Sequence, residues 1–149
     1  RRFRGMFDLG HDFTYAIFNR EETQVLGGTG LHTRRGSHGR EIGYWVRADR
    51  LNQGIATEAA GALTRVAFEV DNLDLVEIRC DPQNARSSAI PRKLGYLHEA
   101  TLRRHRVAGT MRDTMVWTLH AEDYPMSPAA HVDFAAFDVI GRRIPRGIS

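Results

Sequence analysis

The stretch Asn52-Gln53-Gly54-Ile55-Ala56-Thr57-Glu58-Ala59-Ala60 constrains the fold of this chain more than any other. It is a small-residue turn that follows a β-rich segment, Glu41 to Val46, and runs straight into a helical pattern. Ile55, Ala59, Leu63, Val66, Ala67 and Val70 recur at helical spacing, while Glu58, Arg65 and Glu69 take the other side. Asp71-Asn72 ends that pattern, and Leu75 to Cys80 reads as a second strand. A strand, a crossover helix and a strand imply a right-handed parallel pair, with any ligand at the carboxyl ends of its strands. The Gly54 turn lies at that end.

The turn has the makings of an anion site. Gly54 has no Cβ, so a ligand's oxygens can approach the backbone, and Ala56 keeps the next turn open. The free N–H groups from Gly54 to Thr57 point one way, and roughly half a positive charge of helix dipole adds to them. Thr57 can contribute its hydroxyl. A cradle for pyrophosphate needs no Lys or Arg here, although a glycine at a strand-to-helix turn is also an ordinary connection. The order of the surrounding elements decides between the two.

From Phe13 the run Phe-Thr-Tyr-Ala-Ile-Phe is β-rich, Asn19 to Glu22 is a turn, and Gln24 to Thr33 is a second strand of the same hairpin. Gly27, Gly28 and Gly30 in that strand suggest a bulge or close approach by another backbone. Arg34 to Gly39 is a loop by composition, and Arg40 to Val46 a third antiparallel strand. Downstream of Cys80, Asn84 caps a short helix that Gly95 closes. Pro91 falls inside this helix, where it abandons the carbonyl of Ser87 and predicts a kink or a shorter helix. Tyr96 to Val107 and Met111 to Leu119 read as a hairpin around Ala108-Gly109-Thr110, with Val116, Trp117 and Leu119 at its buried end. Arg1 to His11 is a lead-in without clear periodicity.

At 149 residues, 42% of them hydrophobic, the chain has length for one domain with a real core. The expected division is a domain over residues 1–124 and a tail over 125–149, either docked or disordered. No apolar run approaches the roughly 18 residues of a membrane helix, no targeting segment opens the chain, and a lone Cys80 makes no internal disulfide. The expectation is a soluble, cytoplasmic protein. The net charge of +3 comes from arginine, since Lys93 is the only lysine. Arginine favours bidentate contact with phosphate and carboxylate; clusters such as Arg103 to Arg106 read as solvated strand faces, so neither membrane nor nucleic acid is an expected partner. No Cys/His spacing suggests a metal, and none is expected.

Three antiparallel strands, a glycine turn into a helix, a parallel strand, Asn at a short helix start and a closing hairpin together resemble the GNAT N-acetyltransferases, of the RimJ/RimL type. The resemblance is carried by Glu41-Ile-Gly-Tyr-Trp-Val46, Asn52 to Ala59, Ala67-Phe-Glu69, Val76 to Asn84, Ser87, and Lys93-Leu-Gly-Tyr96, and covers about Phe13 to Tyr124. It implies an α+β (mixed α/β) fold: a mostly antiparallel central sheet with one parallel pair splayed at an acyl-CoA site, and helices on both faces. The family's opening strand and helices are missing from the resemblance. Leu51 stands where the family usually has Arg or Gln, with Arg50 and Gln53 beside it.

The implied activity is acetyl transfer from acetyl-CoA directly to a primary amine, whether a protein N-terminus or a small molecule. On the resemblance, the backbone of Tyr44, Trp45 and Val46 binds the pantetheine arm where the two strands part. The Val46 N–H stabilises the oxyanion. Asn52, Gln53, Gly54, Ile55, Ala56 and Thr57 hold the pyrophosphate; Asn84 bonds the pantetheine amides while capping its helix. Ser87 sits near the sulfur and hydrogen-bonds the departing thiolate, unless it only caps. Glu41 is the first candidate for general base, with Glu77 in reserve; the alternative for Glu41 is a solvent-facing strand carboxylate. A homodimer is left open. Two rivals remain: a catalytically weak or inactive GNAT-like domain that binds CoA or acyl-CoA as a sensor, and a basic module for RNA.

Overall fold

The computed structural model describes residues 12–33, 36, 38–138 and 140–145, with His105 by its backbone alone. The expectations for Arg1 to His11 and for Arg34, Arg35 and Ser37 lie outside these residues. The strands are β1 (Asp12–Phe18), β2 (Val25–His32), β3 (Gly39–Val46), β4 (Leu75–Cys80), β5 (Leu97–Val107) and β6 (Thr110–His120). Helix α1 (Ile55–Glu69) joins β3 to β4, and α2 (Ala85–Lys93) joins β4 to β5. They form one six-stranded sheet in the order β1-β2-β3-β4-β6-β5. Every pairing is antiparallel except β3 with β4. The α+β fold with one parallel pair is therefore the one expected.

Side chains alternate across the sheet. Leu31, Ile42, Val76, Ile78, Trp117 and Leu119 point to one face, where they pack with Ala60, Leu63, Ala67 and Phe68 of α1 and with Leu94 after α2. Arg92 of α2 also lies over the Trp117 ring on this side. Both described helices thus cover the same face, which we call the helical face. The helices expected on the opposite face, the far face, are not among the described residues.

Local chemistry accounts for the element ends. Gly54 takes the left-handed conformation, φ 79° and ψ −1°, immediately before α1, and glycine does so without steric cost. Helix α2 ends in a Schellman arrangement: Tyr96 N–H donates to the Pro91 carbonyl at 3.0 Å and Gly95 N–H to that of Arg92 at 3.3 Å, with Gly95 at φ 87°. Ala108 and Gly109 both have positive φ, the twist a two-residue hairpin turn needs.

A kink or a shorter helix is expected at Pro91. Helix α2 runs on through Lys93, and the carbonyl of Ser87 that the proline leaves without a donor accepts instead from the Tyr44 hydroxyl of β3, at 3.0 Å. After Tyr124, residues around Ala129 and Val132 pack against the helices. Ala129 is buried and its N–H donates to the Leu94 carbonyl. Arg65 of α1, itself paired with Glu69, reaches the Val132 carbonyl at 2.7 Å. A Cβ on Gly61 would come within 2.8 Å of Val132, so that glycine permits the close approach.

Candidate functional site

The parallel pairing of β3 with β4 runs only from Gly39↔Leu75 to Ile42↔Ile78. Beyond it, β3 continues to Val46 paired with β2 alone, and β4 to Cys80 paired with β6 alone. The strands part there and leave a gap. Arg47 N–H donates to Leu26 of β2 at 2.9 Å; since successive backbone groups on a strand point to opposite sides, those of Val46 and Tyr44 face the gap. Val46 N–H, the expected oxyanion donor, thus opens onto the gap.

On the helical face, beside the gap, is a cavity of about 410 Å³. Val46, Asn52, Gln53, Gly54, Ile55, Ala56 and Thr57 all line it, so the expected pyrophosphate residues converge. The first bond inside α1 runs from Glu58 N–H to the Gly54 carbonyl at 2.9 Å. The N–H groups of Ile55, Ala56 and Thr57 therefore have no partner within the helix, and no side chain caps them. A Cβ placed on Gly54 would meet nothing within 4 Å. The ground above the turn is open, with the positive end of the helix dipole beneath it.

The opposite wall belongs to α2: Ala85, Arg86, Ala89, Ile90 and Lys93 line the same cavity, as do Arg50 and Leu51. Sequence reasoning missed the α2 contribution, although the spacing 85, 86, 89, 90, 93 is that of one helix face and was open to reading. Leu51, where the resemblance expects a polar residue, lines the cavity with Arg50 next to it. Arg50 is held by the Gln24 side chain at 3.2 Å.

Asn84 accepts from Ser87 N–H at 3.1 Å and caps α2. It borders a neighbouring hollow with Asp81, Gln83 and Arg112, which shares Ala85 and Arg86 with the first cavity. The Tyr44–Ser87 hydrogen bond spans from β3 to α2 across the gap. Its cost of burial pushes the Tyr44 hydroxyl's pKa far above the ordinary phenol value, so this donor keeps its proton. Cys80 is buried near the gap, and burial raises its thiol pKa as well; it is a packed thiol rather than an activated one.

Glu41 is not brought into this cavity. It lies on the far face, level with Glu77 on β4, and Arg79 binds both: its Nε is hydrogen-bonded to Glu77 and stands 3.9 Å from Glu41 Oε2. Glu77 is 0% exposed, which sets it apart from an approaching substrate. Trp45 is also on the far face, 59% exposed, and its ring lies across Gly28. The gap thus joins two sides: the cavity at the start of α1 on the helical face and the carboxylates of Glu41 and Glu77 on the far one.

Comparison with known proteins agrees with this fold. A family model described as "Acetyltransferase (GNAT) domain" matches residues 1–97. The chain is 29% identical over 112 residues to an uncharacterized N-acetyltransferase of Bacillus licheniformis, covering 74% of this chain and 63% of that protein. It resembles the structure of Mycobacterium smegmatis RimJ in complex with CoA-disulfide at a TM-score of 0.76 and 28% identity, over 87% of this chain and 62% of the other. A ribosomal-protein acetyltransferase from Vibrio fischeri shares the fold, at a TM-score of 0.73 and 18% identity, over 83% and 69% of the two chains. The chain spans less than two thirds of the length of the curated relatives it matches. The family match runs through the diverging strands, the glycine turn and the helices that wall the cavity, and the chain belongs to the GNAT acetyltransferase family.

Proposed function

We propose that this protein is an acetyl-CoA-dependent N-acetyltransferase that passes the acetyl group directly to a primary amine. The observation that carries the reading is the opening between β3 and β4, with Val46 N–H turned into it and an anion cradle at its mouth. The N–H groups of Ile55, Ala56 and Thr57 would hold the pyrophosphate, with Arg50, Arg86 and Lys93 supplying positive charge around it. The pantetheine arm would lie along the exposed backbone of Tyr44 to Val46 and reach Asn84. When bound, acetyl-CoA supplies an activated acyl group, and the chain's own work is placement and proton handling.

Val46 N–H would stabilise negative charge growing on the acyl oxygen, and as a fixed dipole it needs no reorganisation to do so. The Ser87 hydroxyl would hydrogen-bond the departing sulfur. Glu41 takes a proton from the amine, directly or through a water; Glu77 is the weaker candidate because it is buried and bound to Arg79. Holding the two reactants in line contributes about 7 kcal/mol or more. The acceptor class, a protein N-terminus or a small amine, is decided by an amine panel.

The test is thiol release with such a panel, alongside calorimetric titration with CoA. Glu41→Gln is expected to lower turnover about 100-fold and leave CoA affinity within about 2-fold, since it lies on the far face. CoA binding with no turnover on any amine would instead favour a CoA-binding sensor domain, the reading that Leu51 in the cavity wall suggests. No CoA binding would end both.

A further inference from the structure

The proton chemistry of amide formation asks for more than one acceptor. An amine that arrives as an ammonium loses two protons in becoming an amide, one ending on the thiol of CoA and the other in solvent. Glu41 can hold one. The far face carries a second candidate that the sequence reading did not single out.

Asp12, His32, Glu41 and Glu77 stand in one row across β1, β2, β3 and β4, each directly opposite the next. Asp12 Oδ1 lies 3.3 Å from His32 Nδ1 and also accepts from Thr33 N–H at 3.2 Å, which fixes the carboxylate. A carboxylate on Nδ1 selects the tautomer with its proton there and leaves the Nε2 lone pair outward. That nitrogen points along the sheet. It lies 3.0 Å from where a Cβ would stand on Gly30 and 3.4 Å from one on Gly43, so the ring rests on two residues that have no side chain. Gly43 is the first residue of β3 beyond the last pairing with β4. The free nitrogen of a carboxylate-held imidazole therefore sits at the threshold of the gap, on the side where Glu41 stands.

We propose that His32, oriented by Asp12, is the base that deprotonates the incoming ammonium. This rests on the acetyltransferase reading above. In the step, an N–H bond of the ammonium breaks, its electron pair stays on nitrogen, and the proton forms an Nε2–H bond on His32. Asp12 lies against Nδ1 of the resulting imidazolium and Glu41 stands opposite His32 on β3, with Glu77 and Arg79 one strand further on. The now neutral amine attacks the acyl carbon, and its second proton passes by way of Glu41 to the sulfur as the C–S bond breaks. His32 then returns its proton to solvent, to which its side chain is 23% exposed. Imidazole suits the task because its ordinary pKa, about 6.5, lies near neutrality. Asp12 is a positioning residue.

The experiment is the pH dependence of kcat/KM for thiol release by the full chain, from pH 5 to 9, for the wild type, His32→Gln and Asp12→Asn, with CoA titration of each. The wild type is expected to lose activity toward the acid end of that range. His32→Gln should lose about 30-fold or more at pH 7 and regain rate about tenfold per pH unit, because only amine already neutral in solution can then react. Asp12→Asn should fall about 3- to 10-fold with CoA affinity unchanged. A His32→Gln profile equal to the wild type, or lowered by the same factor at every pH, overturns the proposal. In the ligand-free wild type, nitrogen-15 imidazole spectra should show the proton on Nδ1; a proton on Nε2 overturns it without recourse to turnover or to any variant. Failure of CoA to bind strikes the acetyltransferase reading itself, whereas normal CoA binding with an unaltered His32→Gln profile strikes His32 alone.

Discussion

Pro91 lies in the last turn of α2, where an ordinary residue would donate its N–H to the Ser87 carbonyl. The Tyr44 hydroxyl fills that role from another element, 43 residues away. The proline and its abandoned carbonyl were legible in the sequence, but the substitute donor was not, since nothing local links the two positions. Replacing Tyr44 by Phe should cost about 1–2 kcal/mol, the range for leaving a partly buried acceptor unsatisfied. Adding Pro91→Ala restores an N–H and should remove most of that cost. Urea midpoints of the two single variants and the double variant measure the coupling, and additive losses would show that the hydroxyl does not stand in for the missing amide. His32 escaped the sequence for a related reason. Its meaning depends on cross-strand register: of the glycines beneath it, Gly30 suggests a bulge or a close approach by another backbone, the latter supplied by the Phe13 carbonyl, and Gly43 carries no local signal.

At the scale of elements, the turn before α1 was the most legible part of the molecule. Its helix starts at Ile55 as the apolar spacing indicates, because period and turn chemistry are both local. The wall supplied by α2 was harder to see, since Arg86 and Lys93 acquire a role only when that helix lies beside α1. Gly54→Val separates the backbone's demand from a ligand's. A side chain there meets no protein atom within 4 Å, so the fold loses only the cost of a left-handed branched residue, about 1–2 kcal/mol. Coenzyme A affinity should fall by more than about 30-fold, because the valine would stand where phosphate oxygens approach. Calorimetry beside a thermal melt checks both, and unchanged affinity would remove the turn from the binding site.

Across the whole molecule, burial sets the response to alkali. The hydroxyls of Tyr44 and Tyr96 are driven far above the ordinary phenol pKa, chiefly by burial, and that of Tyr124 to about 12 by burial and the nearby Glu69. A group whose folded pKa is raised stabilises the fold fully below its unfolded value, about 10, and loses that contribution as pH climbs toward the folded one. Urea midpoints should therefore hold between pH 8 and 9.5 and drop at pH 11. Tyr96, bonded to Thr64 at 2.8 Å, is the deepest of the three; Tyr96→Phe should flatten the decline, by up to about 1.4 kcal/mol per pH unit. Sequence order was enough for the antiparallel hairpins and the one parallel pair, because each of those is locally marked; that β6 lies between β4 and β5 was not legible in it. It could not show which face the helices cover, nor that the segment after Tyr124 folds back onto α1. The topology also divides the sheet into two antiparallel ribbons of three strands each, stitched by only four rungs along β3 and β4. A molecule lodged between the free ends of those strands would supply the rungs that the protein lacks. Its binding energy would then hold the halves together, so thermal resistance would climb with ligand concentration even in a variant that has lost all turnover.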